Sequence, residues 1–288
     1  LVDEHMRTND PDIYAGGDCV EVNHILTGRK TWQPMGSVAN RQGRVIADNI
    51  AGIPSTFPGV AGTAIMRAFE YTIGKTGLTK EEAIKEGYDA EAVTIVNSDI
   101  PHFMPNSALI TIRLVADKKT RRVLGAQVFG KGRADKRLDI LVTAVTGGLT
   151  IDMLGNTDVA YAPPYSTALD PVTHAANALK NKMDNLMRSV SPLELKEKIE
   201  EGWNPLCVDV RTPEEIITQG QLPYDCVNIP LGLLWEKASE LPKDRDIVTY
   251  CKISVRGWDA YSILRRRGFE KVFVLEGGIE GWPFELAK

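Results

Sequence analysis

Cys251 closes the apolar run Asp246-Ile-Val-Thr-Tyr250 and is followed by Lys252-Ile-Ser-Val-Arg256-Gly257, after which an amphipathic stretch begins at Trp258. The pattern reads as a strand, a tight loop opening with a thiol, and a helix. A strand that stops at a cysteine leaves the sulfur at the rim of a sheet. The amides that follow belong to a helix's first turn, lack intrahelical acceptors, and converge on an anion held in the loop. Here that anion is the thiolate itself. A free cysteine titrates near ~8.5, and at a helix N-terminus beside Lys or Arg it can fall to ~3.5 to 7.5. Lys252 and Arg256 are both in reach, and Ser254 lies between them. No histidine follows His174, so a Cys/His pair within this segment is excluded and activation falls to backbone and guanidinium. Seen alone, a cysteine after an apolar strand is by default a buried, inert thiol; the loop and its basic residues argue for function.

Several elements must position that loop. Leu206-Cys-Val-Asp-Val-Arg211 followed by Thr212-Pro-Glu-Glu215, Val227-Asn-Ile-Pro230, and Leu275-Glu-Gly-Gly-Ile279 resemble, in that order, a strand ending in Asp-Val-Arg, the second strand, and the closing strand and turn of rhodanese-type sulfurtransferases. At 288 residues the chain suggests two domains, and 43% hydrophobic, 25% charged and a net charge of -4 describe an ordinary globular composition. The mild acidity argues against a nucleic-acid partner. No apolar run approaches the ~20 residues that span a bilayer, and no basic-then-apolar leader is visible. The 4 cysteines form neither a disulfide framework nor a paired ligand spacing, which points to a reducing, cytoplasmic setting without structural zinc.

Toward the other end, Thr8-Asn-Asp-Pro-Asp-Ile-Tyr-Ala-Gly-Gly-Asp18-Cys19 reads as a short strand running into two glycines and an aspartate, and a helix opens near Ser37 to Ala39. From about Gly62 to Asn185 the pattern is mixed α/β. Thr63–Ile73 reads as one strand, Thr79 with Glu82 as a capping box, and 108–115 with 122–129 as a hairpin across Asp117-Lys-Lys-Thr120. Helices are expected from Lys136 to Thr146 and Asp170 to Met187, with a unit boundary at Met187 to Ser191 and a new helix from Leu193 to Glu201. Lys131, Arg133, Lys136 and Arg137 read as a solvated face, and Arg265–Arg267 as cations at a helix C-terminus. His174 is placed on a helix surface, Cys207 in a strand core, and Cys19 in packing behind the N-terminal segment; Cys226 is left open.

These motifs carry two resemblances. From about Ser191 to Lys288 the chain resembles rhodanese-type sulfurtransferases, in which a cysteine, four residues and a basic residue cradle a persulfide sulfur; related dual-specificity phosphatases have one residue more. Ser254 departs from the commoner glycine. By that resemblance Cys251, Lys252, Ser254 and Arg256 are the catalytic loop. Residues 8–50 resemble the late flavin-binding segment of pyridine nucleotide-disulfide oxidoreductases, which implies that Gly17, Asp18, Ser37 and Ala39 contact FAD, with Asp18 on a ribityl hydroxyl. Tyr161-Ala-Pro-Pro-Tyr-Ser-Thr-Ala-Leu-Asp-Pro171 is similar to the dimerisation-domain signature of coenzyme A-disulfide and polysulfide reductases, and implies Tyr161 or Tyr165, and less directly Tyr71, as hydrogen-bond donors to a coenzyme A thiol across a homodimer. Their competing role is interface packing.

The expected fold class is therefore α/β and α+β: a partial flavin-binding segment over residues 1–60, a mixed α/β dimerisation domain over 61–187, and a parallel-sheet rhodanese-like domain over 188–288. The chain opens at Leu1 without the Gly-rich pyrophosphate turns, so it reads as the C-terminal portion of an FAD- and NAD(P)H-dependent disulfide, persulfide or polysulfide reductase that by itself holds neither cofactor. The expected activity is sulfane-sulfur transfer through a Cys251 persulfide, with coenzyme A persulfide, glutathione persulfide or polysulfide as donor. The rival readings are a non-catalytic dimerisation and docking module, and a phosphatase or arsenate reductase, which the loop length disfavours.

Overall fold

The computed structural model describes residues 1–287. The first 60 residues carry the two-residue antiparallel strands β1 (Val22–Asn23) and β2 (Lys30–Thr31), and helix α1 (Gly36–Ile50). Helix α1 turns Val38 and Val45 onto Val2, Met6, Val20 and Phe57, a small separate core. The sequence predicts a strand before Gly16; the chain forms there only an isolated antiparallel bridge of Tyr14 with Arg7, followed by a 3-10 turn over Gly17–Cys19, and leaves Cys19 exposed rather than packed behind it.

The middle unit is one antiparallel sheet in the order β3-β4-β7-β6-β5. Its strands are β3 (Ala64–Ala68), β4 (Tyr71–Gly77), β5 (Ala90–Ser98), β6 (Leu109–Asp117) and β7 (Val123–Gly130), with α2 (Lys80–Lys85) between β4 and β5. The single strand expected over Thr63–Ile73 is a hairpin. Phe69 takes φ 53° and Arg67 Nε donates to its carbonyl, so the chain reverses within a mixed stretch that carries no Gly or Pro to announce a turn. The capping box on α2 forms: Thr79 accepts from Glu82 N while the Glu82 carboxylate accepts from Thr79 N.

Helices α3 (Ala134–Thr146), α4 (Ile151–Gly155) and α5 (Pro171–Met183) cover one face, with α3 against β4 and β7 and α5 against β5 and β6. Helix α5 ends four residues before the expected Met187 because residues 189–190 leave for another sheet. Arg137, expected on a solvated face, is fully buried. Its guanidinium meets Asp170 Oδ2 at 2.9 Å and the Asp99 carbonyl at 2.7 Å. Asp170 also accepts from Val172 N as the N-cap of α5 and from Ser166 Oγ, so the buried charge is fully bonded.

The last unit is an all-parallel sheet in the order β10-β9-β11-β12-β8. In chain order it runs β8 (Ser189–Val190), α6 (Pro192–Glu200), β9 (Leu206–Asp209), α7 (Pro213–Gln219), β10 (Cys226–Asn228), α8 (Leu231–Lys237), β11 (Ile247–Tyr250), α9 (Val255–Arg266) and β12 (Val272–Leu275). From β9 the chain steps outward to β10 and then back to β11 on the other side. The carboxyl ends of β9 and β11 therefore form a switch point, where open parallel sheets bind ligands.

The Arg137 pairing sets a stability test. Asp170→Ala removes the counter-ion and the α5 cap together and is expected to cost about 3 to 5 kcal/mol, measured by denaturant unfolding. A loss below about 1 kcal/mol would show that Arg137 finds water instead.

Candidate functional site

Cys251 follows β11 directly at that switch point, beside Val210, whose amide donates to the Tyr250 carbonyl at 3.1 Å. Four of the chain's peptide groups then decide the loop's shape. Ile279 N donates to Cys251 O and Glu280 N to Lys252 O, each at 3.0 Å. In a trans peptide the C=O and N–H point in opposite directions. Drawing those two carbonyls toward residues 279 and 280 turns the amides of Lys252 and Ile253 the other way, into the loop. Among the described residues, the amides of Lys252, Ile253, Ser254, Val255 and Arg256 donate to no acceptor. A run of unpaired amides at a helix start is an anion-binding cradle.

Two residues make the curvature. Ser254 adopts φ 79°, the left-handed region that glycine favours, and its Oγ donates to the Leu275 carbonyl at 2.6 Å. That hydrogen bond holds a serine where the loop would otherwise suit glycine. Gly278 has φ 59°, and a Cβ there would lie 2.4 Å from Cys251 O. No larger residue fits between the framing turn and the loop.

The Cys251 side chain is only 1% exposed. The sequence places the sulfur at an open rim; the fold places it under the loop, covered by the turn after β12 and by α9. Arg256 lines the cradle's mouth, clamped by Glu215 from α7 through Nη1 to Oε2 at 2.7 Å and Nη2 to Oε1 at 2.6 Å. Glu215 raises the guanidinium above its ordinary range, and the nearby Cys251 sulfur adds to that rise despite partial burial. The same pair lowers Glu215 from 4.5 to about 2, with the Thr212 amide helping. Lys252 extends outward instead, 3.7 Å from Glu280. Glu215, on α7, is the contact of the loop that the sequence does not announce; its only signal is the capping box Thr212-x-x-Glu215, which forms and leaves the carboxylate facing Arg256. Behind the loop, fully buried Asp209 and Arg211 pair at 2.6 Å, and Arg211 Nη2 holds the Gly220 carbonyl at the end of α7 at 2.8 Å.

The other cysteines stand apart. Cys207 is fully buried on β9, opposite Cys226 on β10. Tyr250 Oη donates to Cys226 Sγ at 3.6 Å; the neighbouring Cys207 and that hydroxyl hold the Cys226 thiol below the ordinary range, while Cys226 and burial push Cys207 up. His174 is half-buried on α5, where it lines an open cavity of about 270 Å³ between β5, α5 and the start of α9, with Asn177, Asn181, Ile253 and Val255. Burial lowers its pKa, with Asp170 acting against that shift.

The N-terminal residues form a second cluster. Gly17 takes φ 82° and donates to Gln42 Oε1 at 2.7 Å, and a Cβ on it would touch Ala39 at 3.6 Å. The Asp18 carboxylate is exposed and makes no hydrogen bond among the described residues, and no side chain caps α1, which opens at Gly36 and Ser37. A free carboxylate beside uncapped helix amides suits a polyhydroxyl chain. Tyr161 and Tyr165 are 54% and 60% exposed, and Tyr71 stacks on Phe129 with ring centroids 4.9 Å apart. No contact joins any of these tyrosines to Cys251 among the described residues.

Residues 64–172 match the model of the pyridine nucleotide-disulphide oxidoreductase dimerisation domain, and residues 191–284 match that of the rhodanese-like domain. The chain joins these two domains. An NAD-dependent persulfide reductase from A. fulgidus superposes with TM-score 0.91 at 44% identity, covering 98% of this chain and 50% of that one. The Bacillus anthracis protein CoADR-RHD superposes at 0.88 with 35% identity, covering 98% and 50%. The NAD(P)H coenzyme A polysulfide/persulfide reductase of Pyrococcus horikoshii is 41% identical over 177 residues, 62% of this chain and 40% of its own length. The chain thus spans half or less of the length of each of these three relatives. Among the described residues no helix is long and apolar enough to cross a membrane, and no cluster of acidic, Cys and His side chains suits a metal.

The Glu215–Arg256 clamp in the rhodanese-like domain gives a pH test. A carboxylate lowered from 4.5 to about 2 contributes stability that is complete above pH 4.5 and is lost as pH falls through about 2. Glu215→Gln is therefore expected to flatten the fall in melting temperature between pH 4.5 and 2 relative to the unmodified chain. Parallel curves would show that the pair adds nothing.

Proposed function

We propose that this chain is the sulfur-handling part of a nicotinamide-linked reductase of persulfides, polysulfides or coenzyme A disulfides, and that Cys251 carries the sulfur. The observation that supports it most is the row of five unpaired amides that follows Cys251, with Arg256 at its mouth. The Cys251 thiolate attacks the outer sulfur of a persulfide R–S–SH. A new S–S bond forms to Cys251, the old one breaks, and RS⁻ leaves with the electron pair. The Cys251 persulfide then loses its proton to solvent, and the terminal sulfur's charge is held by the amides and the guanidinium. An acceptor thiolate attacks that terminal sulfur and returns the Cys251 thiolate. Arg256 cannot shed its charge to Glu215, so the cradle stays positive through the cycle.

The remaining clusters take their roles from the relatives. Gly17, Asp18, Ser37 and Ala39 fit the sugar-alcohol end of FAD, which when bound supplies electron exchange between NAD(P)H and a disulfide. The helix start at α1 and the Asp18 carboxylate orient such a group through hydrogen bonds. Tyr161 and Tyr165 offer exposed hydroxyls to a coenzyme A thiol, and Tyr165 lies under the Arg133 guanidinium at 5.6 Å. The open sheet face, with Met66 59%, Phe69 95% and Phe129 44% exposed, is suited to burial against a second copy in a homodimer.

The 1% exposure of Cys251 is the observation that favours the rival, a docking module without turnover. Intact-mass measurement after incubation with glutathione persulfide separates the two. The unmodified chain and Cys207→Ser are expected to gain one sulfur atom, and Cys251→Ser none. A gain that survives Cys251→Ser, or no gain in any chain, would overturn the sulfur-carrier reading.

A further inference from the structure

The turn that frames the Cys251 loop is itself tied to the other domain. Glu276, 3% exposed, stands between Leu275, whose carbonyl accepts from Ser254 Oγ, and Gly278, which packs against the loop. Its carboxylate is bonded from both sides of the domain boundary. Lys182 Nζ of α5 reaches Oε1 at 2.8 Å and Thr94 N of β5 reaches Oε2 at 2.8 Å, both from the dimerisation domain; Ser189 Oγ of β8 reaches Oε1 at 2.7 Å. Val96 of β5 continues the contact, 3.3 Å from where a Cβ on Gly277 would sit. Both oxygens of this carboxylate are bonded, and two of its three partners belong to the neighbouring domain.

We infer that Glu276 is a positioning residue for the Cys251 loop, through which the dimerisation domain fixes the cradle in its amide-inward form. Four residues after Glu276, the chain has already donated Ile279 N and Glu280 N to the carbonyls of Cys251 and Lys252. A shift of the Glu276 backbone moves those two donors, releases the two carbonyls and lets the Lys252 and Ile253 peptides rotate. Lys182 is the strong partner. Burial would lower its pKa, but Glu276 and Glu91 outweigh burial and hold the ammonium above its ordinary value. Without the dimerisation domain, Glu276 would keep one of its three partners, Ser189. A catalytic loop framed from outside its own domain ties sulfur chemistry to the docked arrangement of the two.

This inference rests on Cys251 being the sulfur carrier, and its test keeps the two apart. The test pairs Glu276→Gln with the double variant Lys182→Met plus Glu276→Leu. The double variant replaces a buried ion pair by apolar groups of similar size, which often preserves stability. In both, kcat for transfer of sulfur from thiosulfate to a thiol is expected to fall about tenfold while KM for thiosulfate stays within about twofold. The rate at which iodoacetamide alkylates Cys251 is expected to fall by a similar factor, since fewer amides then favour the thiolate. A stably folded double variant with unchanged kcat and alkylation rate would overturn the inference. If Glu276→Gln does not fold, the double variant decides alone. If the unmodified chain transfers no sulfur at all, the carrier reading fails, and the alkylation rates still decide whether Glu276 positions the loop.

Discussion

Two peptide planes set the shape of the Cys251 loop. With the carbonyls of Cys251 and Lys252 held by Ile279 N and Glu280 N, the following amides have only one direction left to face. The constraint is steric as much as electrostatic. Gly278 sits so close to Cys251 O that any side chain there would push the loop open, and Ser254 is kept in a left-handed conformation by its bond to Leu275. The stored cost of that conformation, about 1 to 2 kcal/mol, is offset by a turn that accepts and donates hydrogen bonds along its length. A loop so pre-arranged does not need to reorganise when charge arrives.

The two domains are joined by polar groups rather than by a wide apolar contact alone. Lys182, with buried Glu276 and half-buried Glu91, forms an ionic knot at the seam. Buried ion pairs add little net stability compared with apolar replacements, but leaving one partner unpaired is costly. The knot therefore acts mainly on geometry: it penalises any docking that strands a charge. The cavity beside it, lined by His174 and the outer side chains of the loop, shows that apolar packing at the seam is incomplete.

Much of this was readable in the residues. The strand-thiol-helix order around Cys251, the Thr79 capping box and the paired domain signatures follow from local rules that tertiary context did not override. What local rules could not supply were contacts between distant segments. Arg137 looks like one more surface cation in a basic run, and only Asp170, 33 residues on, makes its burial possible. Glu215 and Glu276 look like solvated acids in helix and turn signatures, yet each meets a cation brought by another element. The hairpin at Phe69 was hidden because its turn uses φ 53° without glycine. His174 is half-buried rather than fully exposed because the face of α5 that carries it turns toward the cavity at the seam, and no periodicity reveals that docking.

The most direct measurement is a crystal structure of the chain soaked in thiosulfate under anaerobic conditions. The account predicts one additional sulfur atom bonded to Cys251 Sγ, within hydrogen-bonding distance of at least three of the amides from Lys252 to Arg256. An unmodified Cys251 in crystals whose other thiols carry the added sulfur, or a persulfide that swings out of the loop into solvent, would contradict it.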